Sequence, residues 1–149
     1  MPLDLLPAIN KYNEFNNYLA DKIVFEIVPY FRSNTAPHKF VWQAYQTAKI
    51  NVAVELQALW EQNGNIEPYP HKEPKYRTEH KSKFMVMTTR QLDAVAADIV
   101  KVLTMLDDLF SDLGLLVGNK HRVVIALNRV KLLLEALQRA MQKEIEKLA

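Results

Sequence analysis

Cysteine is absent from this chain of 149 residues, and glycine occurs only three times. Without cysteine, neither a disulfide framework nor a thiolate metal site can form. No apolar run approaches the roughly 20 residues that a membrane span needs. The first residues, MPLDLLPAIN, lack the basic region and the cleavage site of a signal peptide. We therefore expect a cytoplasmic protein with no membrane contact.

Catalytic signatures are also missing. No Ser-His-Asp set and no glycine-rich phosphate loop can be built, and the four histidines lack the spacing of metal ligands. The sequence therefore predicts no enzyme, no metal and no cofactor. One alternative stays open, because Arg32 and His38 have the spacing of the ribonuclease motif of HEPN helical domains. Pro37 lies between them and indicates a turn where that motif needs a helix.

Helical periodicity dominates what is present. Apolar residues recur at steps of three and four, which places them on one face of a helix. The pattern predicts helices over about 5–31, 36–63, 89–113 and 120–148, with Asp4 as the first N-cap and a loop over 64–87. Four rods of matched length favour an all-α fold, an antiparallel four-helix bundle in one domain over 1–149. The predicted core is Phe15, Leu19, Ile23, Val41, Ala48, Val52, Leu56, Leu92, Ile99, Leu103, Leu106, Val130, Leu134, Leu137 and Met141.

The long connection between the second and third helices is unlike its flanks. Residues 65–84 read NIEPYPHKEPKYRTEHKSKF, and residues 64–90 carry six basic against three acidic side chains. Prolines restrict the backbone and so reduce the entropy that the segment loses on binding. Lysine and arginine neutralise phosphates without reading sequence, and a tyrosine can stack on a base. The predicted nucleic-acid contacts in this connection are Lys72, Lys75, Tyr76, Arg77, Lys81 and Lys83.

The last two helices carry opposite charge. Residues 91–118 have one basic and five acidic side chains, whereas residues 119–149 have seven basic and three acidic ones. Arg122, Arg129 and Lys143 are separated by multiples of seven, which aligns them along one side of the fourth helix. Two explanations remain open. The charges of neighbouring helices complement each other, or the basic side binds a phosphate backbone.

Two tryptophans stand apart from the core pattern. Trp42 and Trp60 share a side of the second helix with polar residues. A mixed face with a tryptophan near each end predicts a contact with a protein partner or, equally well, with the long connection.

These features together resemble one known class of protein. A small, cysteine-free, helical and basic chain without catalytic residues is similar to the small subunit of CRISPR Cascade-type effector complexes, which act in antiviral defence. The resemblance rests on size, helix pattern and the clusters Lys72–Lys83 and Arg122–Lys147. It implies a non-catalytic subunit, present in several copies beside other protein subunits, that binds the backbone of DNA or RNA. A helical protein–protein adaptor without nucleic-acid contact is the alternative.

Overall fold

The structure is a computed structural model, and it describes residues 3–20, 36–72 and 89–148. Within these ranges the chain forms four helices and no strand. They are α1 (Leu6–Leu19), α2 (Ala36–Gln62), α3 (Thr89–Val117) and α4 (Arg122–Leu148). The helices pack against one another, α1 on α3, α3 on α4 and α2 on α4. The prediction of an all-α fold is therefore confirmed.

The helix ends differ from the predicted ones for local reasons. Leu5, not Asp4, occupies the N-cap of α1, and its side chain makes no capping hydrogen bond. The third helix continues through Gly114, where the sequence predicted its end at 113. It ends before Gly118, whose φ of +85° suits a residue without Cβ, and the Gly118 amide donates to the Gly114 carbonyl at 2.9 Å. Residues 21–31 of the first predicted helix lie outside the described residues.

One core joins the four helices. Phe15, Val52, Leu106 and Leu134 are each fully buried, one from each helix. Eleven of the predicted core residues are buried: Phe15, Leu19, Ala48, Val52, Leu56, Ile99, Leu106, Val130, Leu134, Leu137 and Met141. Val41 and Leu103 are only partly buried against this cluster, which corrects their placement at its centre. Ile23 and the side chain of Leu92 lie outside the described residues.

Two asparagines interrupt the apolar face of α1. Asn13 and Asn16 are 7% and 2% exposed. The Asn13 amide donates to the Pro70 carbonyl at 3.0 Å, so α1 holds the beginning of the long connection. The side-chain oxygens of both asparagines have no hydrogen-bond partner within the part of the chain that the structure describes. Of the two, Asn13 therefore serves in part to fix the connection.

Candidate nucleic-acid interface

Exposed cations follow one side of α4. A helix turns by about 100° per residue, so Arg122, Arg129, Arg139 and Lys143 fall within a sector of roughly 100°. All four are exposed, and the buried residues Val130, Leu134 and Leu137 lie on a different side of the same helix. We call these four cations the α4 ridge. It extends over about 32 Å, at 1.5 Å per residue from the first to the last.

The cations of the α4 ridge have little compensation from the chain itself. Arg122 is 84% exposed, and its Nε lies 3.4 Å from Glu55 of α2. Arg129, Arg139 and Lys143 have no ion pair among the described residues. Lys131, on another side of α4, differs from them because its ammonium lies 2.7 Å from Asp107 of α3. That hydrogen bond raises the pKa of Lys131.

The acidic side chains of α3 find most of their partners on α1. The Lys11 ammonium contacts Asp112 at 2.5 Å and Asp108 at 3.1 Å. These hydrogen bonds, the one to Asp112 first, raise the pKa of Lys11. Asp98 accepts a hydrogen bond from the Tyr18 hydroxyl at 2.9 Å. Charge complementarity between the last two helices thus operates at Lys131 and Asp107, but it does not neutralise the α4 ridge.

A groove between α2 and α4 adjoins the first half of the α4 ridge. It is open to solvent and has a volume of about 400 Å³. The small side chains of Ala48 in α2 and Ala126 in α4 line it. Arg122 and Arg129 also line it, and they lie about 10 Å apart along the axis of α4, at 1.5 Å per residue. Its lining residues are Ala48, Asn51, Glu55, Arg122, Ile125, Ala126 and Arg129. The part played by Glu55 was missed in the sequence, because only packing reveals which α2 residue faces Arg122.

The helix N-terminus at this end is capped by a histidine. The amide of Val123 donates to His121 Nδ1 at 3.1 Å, which satisfies one of the free donors in the first turn of α4. Across the described ranges, no group of three or more histidine, aspartate or glutamate side chains is arranged to hold a metal ion.

The first part of the long connection is fixed to the bundle. The Trp60 indole donates to the Glu67 carbonyl at 2.8 Å, and the Asn65 amide donates to the Trp60 carbonyl at 2.9 Å. The Tyr69 ring meets Trp60 edge to face at 6.4 Å and stacks on His71 at 6.2 Å. Trp60 is 6% exposed as a result. Of the two alternatives for this tryptophan, the described residues show the contact with the connection.

The predicted site residues separate into three groups. Arg122, Arg129 and Lys143 come together on α4, where Arg139 joins them. Lys72 is exposed at the end of the described connection, whose preceding residues bond to α1 and α2 instead of α4. The predicted contacts outside the described residues are Lys75, Tyr76, Arg77, Lys81 and Lys83, and the side chain of Trp42 is likewise not described.

None of the helices in the described ranges is long and apolar enough to cross a bilayer. Comparison with protein-family models, with curated proteins and with solved structures found no match for this chain.

Proposed function

We propose that this chain is an antiparallel four-helix bundle that serves as a non-catalytic subunit of a nucleoprotein assembly. In this proposal the α4 ridge binds the sugar-phosphate backbone of DNA or RNA without sequence specificity. The small subunits of Cascade-type complexes, which the sequence resembles, are the model for such a role. The basic connection between α2 and α3 would extend the contact.

Contacts between helices support the antiparallel arrangement. Leu3 bonds to Asn63 and Tyr12 bonds to the Lys49 carbonyl, so residue numbers rise along α1 while they fall along α2. The helices α1 and α3 also run in opposite directions, because Lys11 contacts Asp108 and Asp112 whereas Tyr18, further along α1, bonds to the earlier residue Asp98. The same opposite order joins α2 to α4, where Glu55 contacts Arg122 and the groove pairs Ala48 with the turn that contains Arg129. With these directions, the connection from α2 to α3 has to return along the bundle, which would account for its length.

The uncompensated charge of the α4 ridge carries the proposal. A phosphate backbone binds through lysine and arginine side chains that release condensed counterions, and each neutralised phosphate adds to the salt dependence of binding. Cations already bonded to carboxylates contribute less, because the carboxylate repels the phosphate. Among the described residues, Arg129, Arg139 and Lys143 are bonded to no carboxylate, whereas Lys131 is bonded to Asp107. If these three ridge cations each neutralise one phosphate, log affinity for a single strand falls against log salt with a slope of about −2.1.

The experiment compares two substitutions on the same helix. Arg129→Gln removes a cation of the α4 ridge, and Lys131→Gln removes one that is paired with Asp107, so both change the net charge equally. Fluorescence anisotropy with single- and double-stranded DNA and with single-stranded RNA, at several salt concentrations, measures the affinity and the slope. We expect Arg129→Gln to weaken binding and to reduce the single-strand slope by about 0.7. We expect Lys131→Gln to have the smaller effect.

Three results would count against this function. Equal effects of the two substitutions would make the binding a response to net charge alone. Binding that is absent, or insensitive to salt, would favour the protein–protein adaptor. Ribonuclease activity that is lost in His38→Ala would favour the HEPN alternative; His38 lies in the first turn of α2, and Arg32 lies outside the described residues.

A further inference from the structure

The groove between α2 and α4, which we call the α2–α4 groove, has an arginine at each end and no charge in its middle. Arg122 and Arg129 line it, and the Nε of Arg122 lies 3.4 Å from Oε1 of Glu55. Because α2 and α4 run in opposite directions in the proposed bundle, Asn51, one turn before Glu55, lies level with the space between the two arginines. Ile125 lines the same part of the groove and is 60% exposed. The middle of the groove thus offers an amide and an aliphatic surface.

Two polar groups of the α2–α4 groove have hydrogen-bonding capacity left for a ligand. The side-chain amide of Asn51 makes no hydrogen bond to the described part of the chain, and Oε2 of Glu55 makes none there either. An amide both donates and accepts, whereas a carboxylate only accepts. A ligand with a flat face and a donor on its edge fits these groups, because the face can pack on Ile125 while the donor bonds to Glu55.

A nucleobase has this chemistry. We propose that the α2–α4 groove takes one base of the bound strand and prefers a base with an exocyclic amino group, which is adenine, cytosine or guanine. This preference rests on the proposed binding of a strand along the α4 ridge. The amino group donates to Glu55, the ring packs on Ile125, and an adjacent phosphate binds Arg129. Contacts to the backbone read no sequence, so the groove adds a preference at a single position.

Thymine and uracil fit the α2–α4 groove less well. In both bases a carbonyl oxygen takes the place of the amino group of cytosine, and the Glu55 carboxylate repels that oxygen. The same carboxylate repels a phosphate at its own end of the groove, so the phosphate binds at Arg129, which lies about 10 Å from Arg122 along α4, at 1.5 Å per residue. In a duplex the base edges are already paired, so the preference belongs to single strands.

The size of the groove limits the ligand to about one base. Its volume of about 400 Å³ is near the lower end of the roughly 300–1,000 Å³ that small-ligand sites span. The small side chains of Ala48 and Ala126 leave this space between the helices. Because the groove is open to solvent, one hydrogen bond in it should change the affinity by about two- to tenfold and not by more.

Three short oligonucleotides test the preference. The first is an oligothymidylate, and in the second and third one central thymine is replaced by adenine or by cytosine. Fluorescence anisotropy at low and at high salt measures the affinity of the wild-type chain for each. We expect all three to bind more weakly at high salt, because the phosphate contacts release counterions. We expect the two with an amino base to bind about two- to tenfold more tightly than the first.

Three variants locate the preference in the α2–α4 groove. Ala126→Leu fills the groove without a change in charge and should remove the preference, whereas Ala97→Leu, the matched control on the exposed side of α3, should keep it. Glu55→Gln removes the carboxylate. It should strengthen the binding of the oligothymidylate, because the repulsion of phosphates is lost, and it should reduce the preference for the amino bases. Circular dichroism verifies that the variants are folded.

The outcomes separate this preference from the proposed function. A wild-type chain that binds no oligonucleotide refutes the proposed function and the preference with it. Salt-dependent binding with equal affinity for the three oligonucleotides leaves the proposed function standing and overturns the preference. A preference that persists in Ala126→Leu overturns the role of the groove. Polyglutamate that binds the wild-type chain as tightly at the same salt, and binds Ala126→Leu more weakly, would assign the groove to an acidic protein partner instead.

Discussion

On one side of this molecule the polar side chains are bonded to other parts of the chain, and on another side they are exposed. On the first side, α1 and the connection residues 65–72 bond to the rest of the chain. The Lys11 ammonium bonds to Asp108 and Asp112, and the Asn13 amide donates to the Pro70 carbonyl. On the second side, the α4 ridge leaves Arg129, Arg139 and Lys143 exposed and without an ion pair among the described residues. We call them the bonded side and the exposed side. The contrast indicates that the bonded side contributes to stability and the exposed side is available to partners.

Substitutions in the core should have the largest effect on stability. Leu134 of α4 is fully buried, whereas Leu132 of the same helix is 56% exposed. Leu134→Ala should lower the free energy of unfolding by about 2–5 kcal/mol, because it removes buried methyl groups and leaves a cavity. Leu132→Ala should cost less than about 1 kcal/mol. Urea unfolding followed by circular dichroism measures both, and equal losses would mean that the exposed side is structural.

The next largest effect belongs to the bonded side. Trp60→Phe removes the donor to the Glu67 carbonyl and part of a buried ring, so we expect a loss of about 1–3 kcal/mol in the free energy of unfolding. Gln57→Ala, one turn earlier and exposed, is the control and should change the free energy by less than about 0.5 kcal/mol. If Trp60→Phe unfolds like wild type, the bond between α2 and the connection contributes nothing to stability.

How much of this could be foreseen from the sequence depends on the range of each interaction. Periodicity within one helix predicted the core positions of Val52, Leu106 and Leu134. Whether a glycine ends a helix is also local, yet Gly114 and Gly118 look alike in the sequence and only the second takes a positive φ. The pairing of α3 aspartates with Lys11, about a hundred positions away, is set by packing. The exposure of Arg129 beside the pairing of Lys131 likewise needs the neighbouring helix.

Alkaline pH offers a smaller effect that is specific to the bonded side. Burial raises the pKa of Tyr69 from 10.0 to about 12, and burial raises the pKa of Tyr12 further. Above pH 10 the unfolded chain therefore loses phenolic protons that the folded chain keeps, and the free energy of unfolding falls as the pH rises towards 12. Tyr69→Phe should make this fall shallower. The raised pKa values of Lys11 and Lys131 act in the same direction, but they act equally in both proteins.

The measurement is a series of urea unfolding curves at pH 7 and between pH 9 and pH 12, the window in which free and buried phenols ionise. At pH 7 the Tyr69→Phe protein should unfold like wild type, because the Tyr69 hydroxyl has no hydrogen-bond partner in the described ranges. An alkaline decline that is unchanged in Tyr69→Phe would show that Tyr69 ionises freely in the folded chain. The connection would then not be held against Trp60 in solution.

The smallest expected effects compare one cation from each side. Lys11→Gln breaks two ion pairs on the bonded side, so the melting temperature should fall measurably at low salt and less so at high salt, where screening already weakens such pairs. Arg129→Gln on the exposed side removes no ion pair within the described residues, so the free energy of unfolding should stay within about 0.5 kcal/mol of wild type. Relief of repulsion between Arg129 and Arg122, two turns away, favours a slight gain. Thermal melts of wild type and both variants at two salt concentrations measure these changes in melting temperature. If Arg129→Gln destabilised the fold as much as Lys11→Gln does, the α4 ridge would have a structural role, and its weaker nucleic-acid binding could no longer be assigned to a lost phosphate contact.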